Sequence, residues 1–249
     1  MQSVRKRLVT TVRLFIFALL IMSVAGCPEN GEAPRPGPSP PSPPVSSGGS
    51  KTLGIVPLPQ QTQVWCWATA AEMVFKYYGL PNINPAGNYQ CGIVAAWFGG
   101  QCLLRCELCA FPVGPMSNMQ QVIVGYGGFL RQNGVQSRSL VATLEFRSLS
   151  AAEIKTEIDA GRPVVVGIAP SGGFALPNAS QHIAVVIGYD YSRGIEEVIV
   201  NDPYPFDLVP APNPYVAVGG VRQGAGQFRV RIATLRANLG WANTIYRIQ

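Results

Sequence analysis

Cys66 and His182 are the residues best suited to do chemistry together. Cys66 stands in Gln60-Gln61-Thr62-Gln63-Val64-Trp65-Cys66-Trp67-Ala68, where a helical pattern begins. A thiol at a helix start meets unpaired N–H groups and a partial positive charge, which favour the nucleophilic thiolate. His182 is the one histidine of the chain. Imidazole takes and returns a proton near neutral pH, which is what a thiol nucleophile needs from a partner. Asn201-Asp202-Pro203 lies downstream, and a polar group there could hold the imidazole tautomer and complete a triad. Adjacent strand residues face opposite sides, so one of Asn201 and Asp202 points at His182. Asp202 is preferred, because it sits at a strand end that Pro203 cannot extend. Gln60, six residues before Cys66, could join the Cys66 backbone N–H in binding an oxyanion, with Gln61 and Gln63 as competitors.

The elements that must position these groups are legible in outline. Trp67, Ala70, Ala71, Val74 and Tyr78 recur at helical spacing, which predicts a helix over 66–78 stopped by Gly79 and Pro81. A short helix is expected over 93–98. Ser117 and Gln120 form one candidate capping box, weakened by Gly125, Gly127 and Gly128, and Ser150 and Glu153 form a clearer one. Strands are expected at 164–168, 182–189, 198–200, 228–232 and 241–248, with a polar hairpin loop over 190–194. Helices first and strands later indicate an α+β domain with an antiparallel sheet.

Cysteine usage bears on Cys66 as well. Cys91, Cys102, Cys106 and Cys109 are separated by ten, three and two residues. That spacing suits either a four-thiolate zinc site or two disulfides with three pairings open. The N-terminus favours disulfides. Arg5, Lys6, Arg7 and Arg13 precede and flank an apolar run from Leu14 to Met22, which ends in Val24-Ala25-Gly26-Cys27. This reads as an export signal over 1–26, too short for a comfortable transmembrane helix, and export leads to oxidising compartments. The Cys27 junction resembles the bacterial lipobox, so Cys27 is the expected lipid-attachment residue. Pairing of the four clustered cysteines would leave Cys66 as the odd, reactive thiol.

Residues 27–50 read as a tether, with eight of the 22 prolines between Pro28 and Pro44 and a Ser/Gly run after them. The folded domain is expected over 51–249. The net charge of +6 is mostly signal, since the four basic residues of the first 26 have no acidic counterpart there. The remainder gives no reason to propose nucleic-acid binding.

The pattern Gln-x5-Cys-Trp opening a helix, then a strand starting in His and one ending in Asp or Asn, resembles the papain-like cysteine proteases. Trp65-Cys66-Trp67-Ala68 is most similar to a bacterial branch related to double-glycine leader peptidases and secreted effector proteases. The resemblance covers most of residues 53–207, and nothing after Pro210 is matched. It implies a papain-like fold, with helices carrying the nucleophile packed on an antiparallel sheet. It also implies peptide-bond hydrolysis through a thioester, with no cofactor and no metal. Cys66 would be the nucleophile, His182 the general base and acid, Asp202 the orienting residue and Gln60 the oxyanion donor. The papain signature has Gly and Ser before its nucleophile, whereas Val64-Trp65 stands here, and the bulky Trp65 could reshape or narrow the acyl pocket. A monomer is expected, acting on a peptide or protein substrate and held on the extracytoplasmic side of a bacterial membrane through Cys27. Pro28 in place of aspartate favours the outer membrane. The same three residues would also suit an amidase or an acyl or amine transferase, and an inactive binding domain is the non-enzymatic alternative.

Overall fold

The computed structural model describes residues 48–172, 176–206, 208 and 212–249. The expected export signal, Cys27 and all but the end of the expected tether lie outside the described residues.

Helix α1 (Cys66–Tyr77) buries Trp67, Ala70, Ala71 and Val74, the face that the spacing marked, and packs against a central strand. Small residues at Ala68, Ala70 and Ala71 let the helix approach closely. Helix α2 (Tyr89–Phe98) begins earlier than expected, because the Asn88 side chain accepts the Cys91 N–H and caps it. Helix α3 (Met116–Gln132) departs from its expected capping box. The Ser117 N–H goes to Asn178 Oδ1 at 2.8 Å, and Gln120 donates to the Ala142 carbonyl. Its interior Gly127 is required by contact, since a Cβ there would lie 1.9 Å from the Arg138 carbonyl oxygen. Helix α4 (Ala151–Asp159) carries the full Ser150–Glu153 capping box.

Among the described residues eight strands form one antiparallel sheet. They are β1 (Ser50–Thr52), β2 (Thr143–Glu145), β3 (Val164–Ile168), β4 (His182–Asp190), β5 (Glu197–Asn201), β6 (Val221–Gly224), β7 (Gln227–Arg231) and β8 (Asn243–Tyr246). Their order is β2-β8-β3-β4-β5-β7-β6, with β1 paired to β4. Short helices α5 (Pro214–Ala217) and α6 (Ile232–Ala237) flank β6 and β7. β4 is central and buried along nearly its whole length, with α1 and α4 packed against it. The architecture is α+β, with helices on an antiparallel sheet.

The register sets the site. Val185 of β4 faces Asn201 of β5, and the hairpin closes at Asp190 and Glu197. His182 therefore opens β4 close to the place where β5 ends and Asp202 begins. Asn201 in turn pairs with Gln227 of β7.

Candidate active site

Cys66 is the first residue of α1, half-buried and the free cysteine among the described residues. No side chain caps this helix start, and no acidic residue stands in its first turn. The positive end of the helix is thus left for the thiol.

His182 is buried and lies between two partners. Its Nε2 meets Asp202 Oδ1 at 2.7 Å, and it shares a cleft wall with Cys66. With Nε2 occupied, Nδ1 is the nitrogen left for sulfur. Burial disfavours the charged ring, but the Asp202 carboxylate outweighs it by charge and hydrogen bond. With Cys66 adding to this, the His182 pKa stands well above its ordinary value.

Asp202 is buried and held from several sides. Its Oδ1 also accepts the Tyr204 N–H at 2.7 Å, its Oδ2 accepts the Tyr215 hydroxyl at 2.8 Å, and its own N–H donates to the Gly226 carbonyl. Gly226 sits in the β6–β7 turn at φ 66°, a conformation that favours glycine. Asn201 faces elsewhere. Its Nδ2 donates to the Ile55 carbonyl at 2.8 Å, and its Oδ1 accepts from Gln227 at 2.9 Å.

The three glutamines occupy different places. Gln60 is buried, donates one amide N–H to the Thr62 carbonyl, and leaves its Oε1 without a partner among the described residues. Gln61 is bonded to Asn88 and Gln90. Gln63 lines the walls beside Cys66 and His182.

His182 separates two clefts. The smaller, about 120 Å³, is lined by Cys66, Trp67, Val113, Gly114, Gln181 and others. The larger, about 510 Å³, is lined by Pro170, Ser171, Tyr204, Phe206, Pro214 and Ala217 among others. Among the described residues, neither wall includes an Asp, Glu, Lys or Arg side chain.

The expectation that Trp65 narrows this site is corrected. Trp65 is buried, and its indole N–H donates to the Cys109 carbonyl. Trp67 lines the cleft instead and donates to the Phe111 carbonyl at 3.2 Å. Both bonds reach the loop between α2 and α3. That loop is pinned by disulfides Cys91–Cys106 and Cys102–Cys109, so the four clustered thiols are paired, not ligating. The same loop supplies Pro112, Val113 and Gly114 to the Cys66 cleft. Reducing the disulfides is expected to cost about 2–4 kcal/mol of stability per bridge, read by guanidinium unfolding. Identical unfolding curves with and without tris(2-carboxyethyl)phosphine would show that the bridges do not constrain the loop.

Tyr215 and Gly226 were not among the residues that the sequence singles out. Asn213-Pro214 was the available signal, a capped helix start with Pro in the first turn, but it marks only four helical residues.

Residues 52–208 match the sequence profile of the Peptidase_C39-like family, well over half of the chain. No curated protein matches the chain in sequence. Among solved structures, the digestive procathepsin L 3 of Tenebrio molitor larval midgut is similar at 12% identity and a TM-score of 0.42, over 82% of this chain and 70% of that one. The digestive procathepsin L2 proteinase from the same tissue is similar at 14% identity and a TM-score of 0.42, over 76% of this chain and 64% of that one. With its match running from β1 past the end of β5, the chain belongs to the Peptidase_C39-like family and is a cysteine peptidase.

Proposed function

We propose that Cys66, His182 and Asp202 carry out peptide-bond hydrolysis as a nucleophile, a general acid–base and an orienting carboxylate. The observation that carries this reading is His182, which bonds Asp202 Oδ1 at 2.7 Å and lines the same cleft as Cys66. The Cys66 sulfur attacks the scissile carbonyl carbon, and the carbonyl electron pair moves onto oxygen. Collapse of the tetrahedral species breaks the C–N bond, and His182 gives its proton to the leaving amine. Water then loses a proton to His182 and attacks the thioester carbon. Departure of the thiolate frees the acid and restores the thiolate–imidazolium pair.

The Cys66 N–H, at an uncapped helix start, is well situated to stabilise the oxyanion. Gln60 is the side-chain donor in this reading, because its amide keeps a second N–H beyond the bond to Thr62. Gln63, in both cleft walls, contacts substrate.

The clefts suit an uncharged peptide segment, with a small residue in the Cys66 cleft and a bulkier apolar one in the larger cleft. An uncharged peptide library is therefore expected to be cleaved, and one equivalent of iodoacetamide on Cys66 at pH 7 should stop the cleavage. Labelling of Cys66 only after denaturation, with cleavage persisting, would overturn this reading. The lipid anchor at Cys27 and a position on the outer side of a bacterial envelope belong to the same proposal. They rest on the sequence of residues 1–27, and mass spectrometry of the mature N-terminus reads the modification directly.

A further inference from the structure

We propose that Tyr215 is a positioning residue for the peptidase reaction, fixing the Asp202 carboxylate through its hydroxyl. The inference rests on the Cys66–His182–Asp202 reading and extends it beyond residues 52–208, the segment that the family profile covers.

Asp202 turns its two oxygens to different tasks. Oδ1 faces His182 and the Tyr204 N–H, and Oδ2 faces the Tyr215 hydroxyl at 2.8 Å. Without that hydroxyl, Oδ2 would be a buried acceptor with no other donor among the described residues. A buried carboxylate left short of a hydrogen bond rotates or shifts to recover one. Rotation would carry Oδ1 away from His182 Nε2. The imidazole would then lose the contact that orients its other nitrogen towards Cys66.

The tyrosine is held as a positioning group must be. Its side chain is fully buried, and its ring stacks parallel to Phe228 with centroids 4.6 Å apart. Phe228 lies on β7 directly opposite Val200 of β5, two residues before Asp202. The backbone around it is fixed too. Asn213 caps α5 by accepting the Tyr215 and Val216 N–H groups, and the Tyr215 carbonyl accepts the Gly220 N–H. Burial first, then the neighbouring Asp202 charge, raises the phenol pKa well above its ordinary value, so the hydroxyl stays a donor wherever the enzyme works. The same short helix presents Pro214 and Ala217 to the larger cleft, which makes α5 a shared support for substrate and carboxylate.

The test is a double-mutant cycle in the full chain, using a quenched-fluorescent peptide of uncharged residues. Tyr215→Phe removes one oxygen and keeps the stacked ring. It is expected to lower kcat about tenfold while KM changes less than twofold. In an Asp202→Asn background the same change is expected to cost less than twofold, because the group it acts through is already altered. A kcat within twofold of wild type, or an equal tenfold loss in both backgrounds, would overturn the proposal. Asp202→Asn with wild-type kcat would instead sink the triad reading itself. Should Tyr215→Phe fail to fold, Asn213→Ala loosens the turn that carries the tyrosine and is expected to lower kcat threefold or more at constant KM. No change in kcat there would equally overturn it.

Discussion

Cys66→Ala is expected to lower kcat/KM for peptide hydrolysis by about 10⁵-fold, with the fold and thermal midpoint retained. The size follows from what is removed. Without sulfur no covalent acyl-enzyme forms, and His182 has no nucleophile to serve. Residual activity would come from the oxyanion donors and substrate binding alone, as in other enzymes stripped of a nucleophile. Stability should change little, since Cys66 is half-buried and alanine is a good helix residue. Kinetics with excess enzyme and a thermal melt read both quantities. Activity within tenfold of wild type would remove Cys66 from the mechanism.

The second large effect separates two adjacent residues. Asp202→Ala is expected to lower kcat about 10³-fold, whereas Asn201→Ala is expected to leave kcat within a few-fold and cost about 1–3 kcal/mol of stability. Asn201 ties the Ile55 carbonyl to Gln227, and its loss leaves the buried Ile55 carbonyl and the half-buried Gln227 amide without that partner. Asp202 acts on His182, and its loss should appear in the pH profile. The folded-state pKa of His182 lies well above 6.5 although burial opposes the charge, because Asp202 contributes both its charge and a hydrogen bond. The stabilisation of the charged ring is therefore fully present below that ordinary value and is lost as pH rises through the raised one. The alkaline limb of activity follows the same titration. In Asp202→Ala the desolvation cost remains and the largest compensation is gone, so this limb should move to lower pH. A limb that stays in place in Asp202→Ala and moves in Asn201→Ala would reverse the two roles.

How much of this was legible in the sequence depends on how local the cause is. Helix α1 was legible because its buried face repeats every three to four residues, and α4 because Ser150 and Glu153 satisfy each other. The strand bearing His182 was legible as an apolar run, and the pairing of β4 with β5 followed from the hairpin between them. Ser117 misled for the opposite reason. Its partner, Asn178, lies 61 residues away, and that tertiary bond replaced the local cap. The cysteine spacing left three pairings open. Which of them forms depends on how the loop folds back on α2, and Cys91 lies on that helix. Trp65 was misread because a side chain's facing is set by the carbonyl it reaches, here that of Cys109 in the loop. Tyr215 was marked only by the Asn213-Pro214 helix start beside it. Its meaning comes from β7 and the β5 terminus meeting beside it.

The order of the sheet carries one more consequence, for the timing of synthesis. β8 is made from residues 243–246, yet it lies between β2 and β3. While those residues are still emerging, β3 has one open edge and β2 has no strand to pair with. Tyr215 and the Gly226 turn are also late to arrive. A polypeptide halted after Asp202 would contain every residue of the proposed triad, but not the strand that joins the sheet or the groups that hold its carboxylate. Proteolytic competence should therefore appear only after residues 243–246 have been made and have closed the gap between β2 and β3.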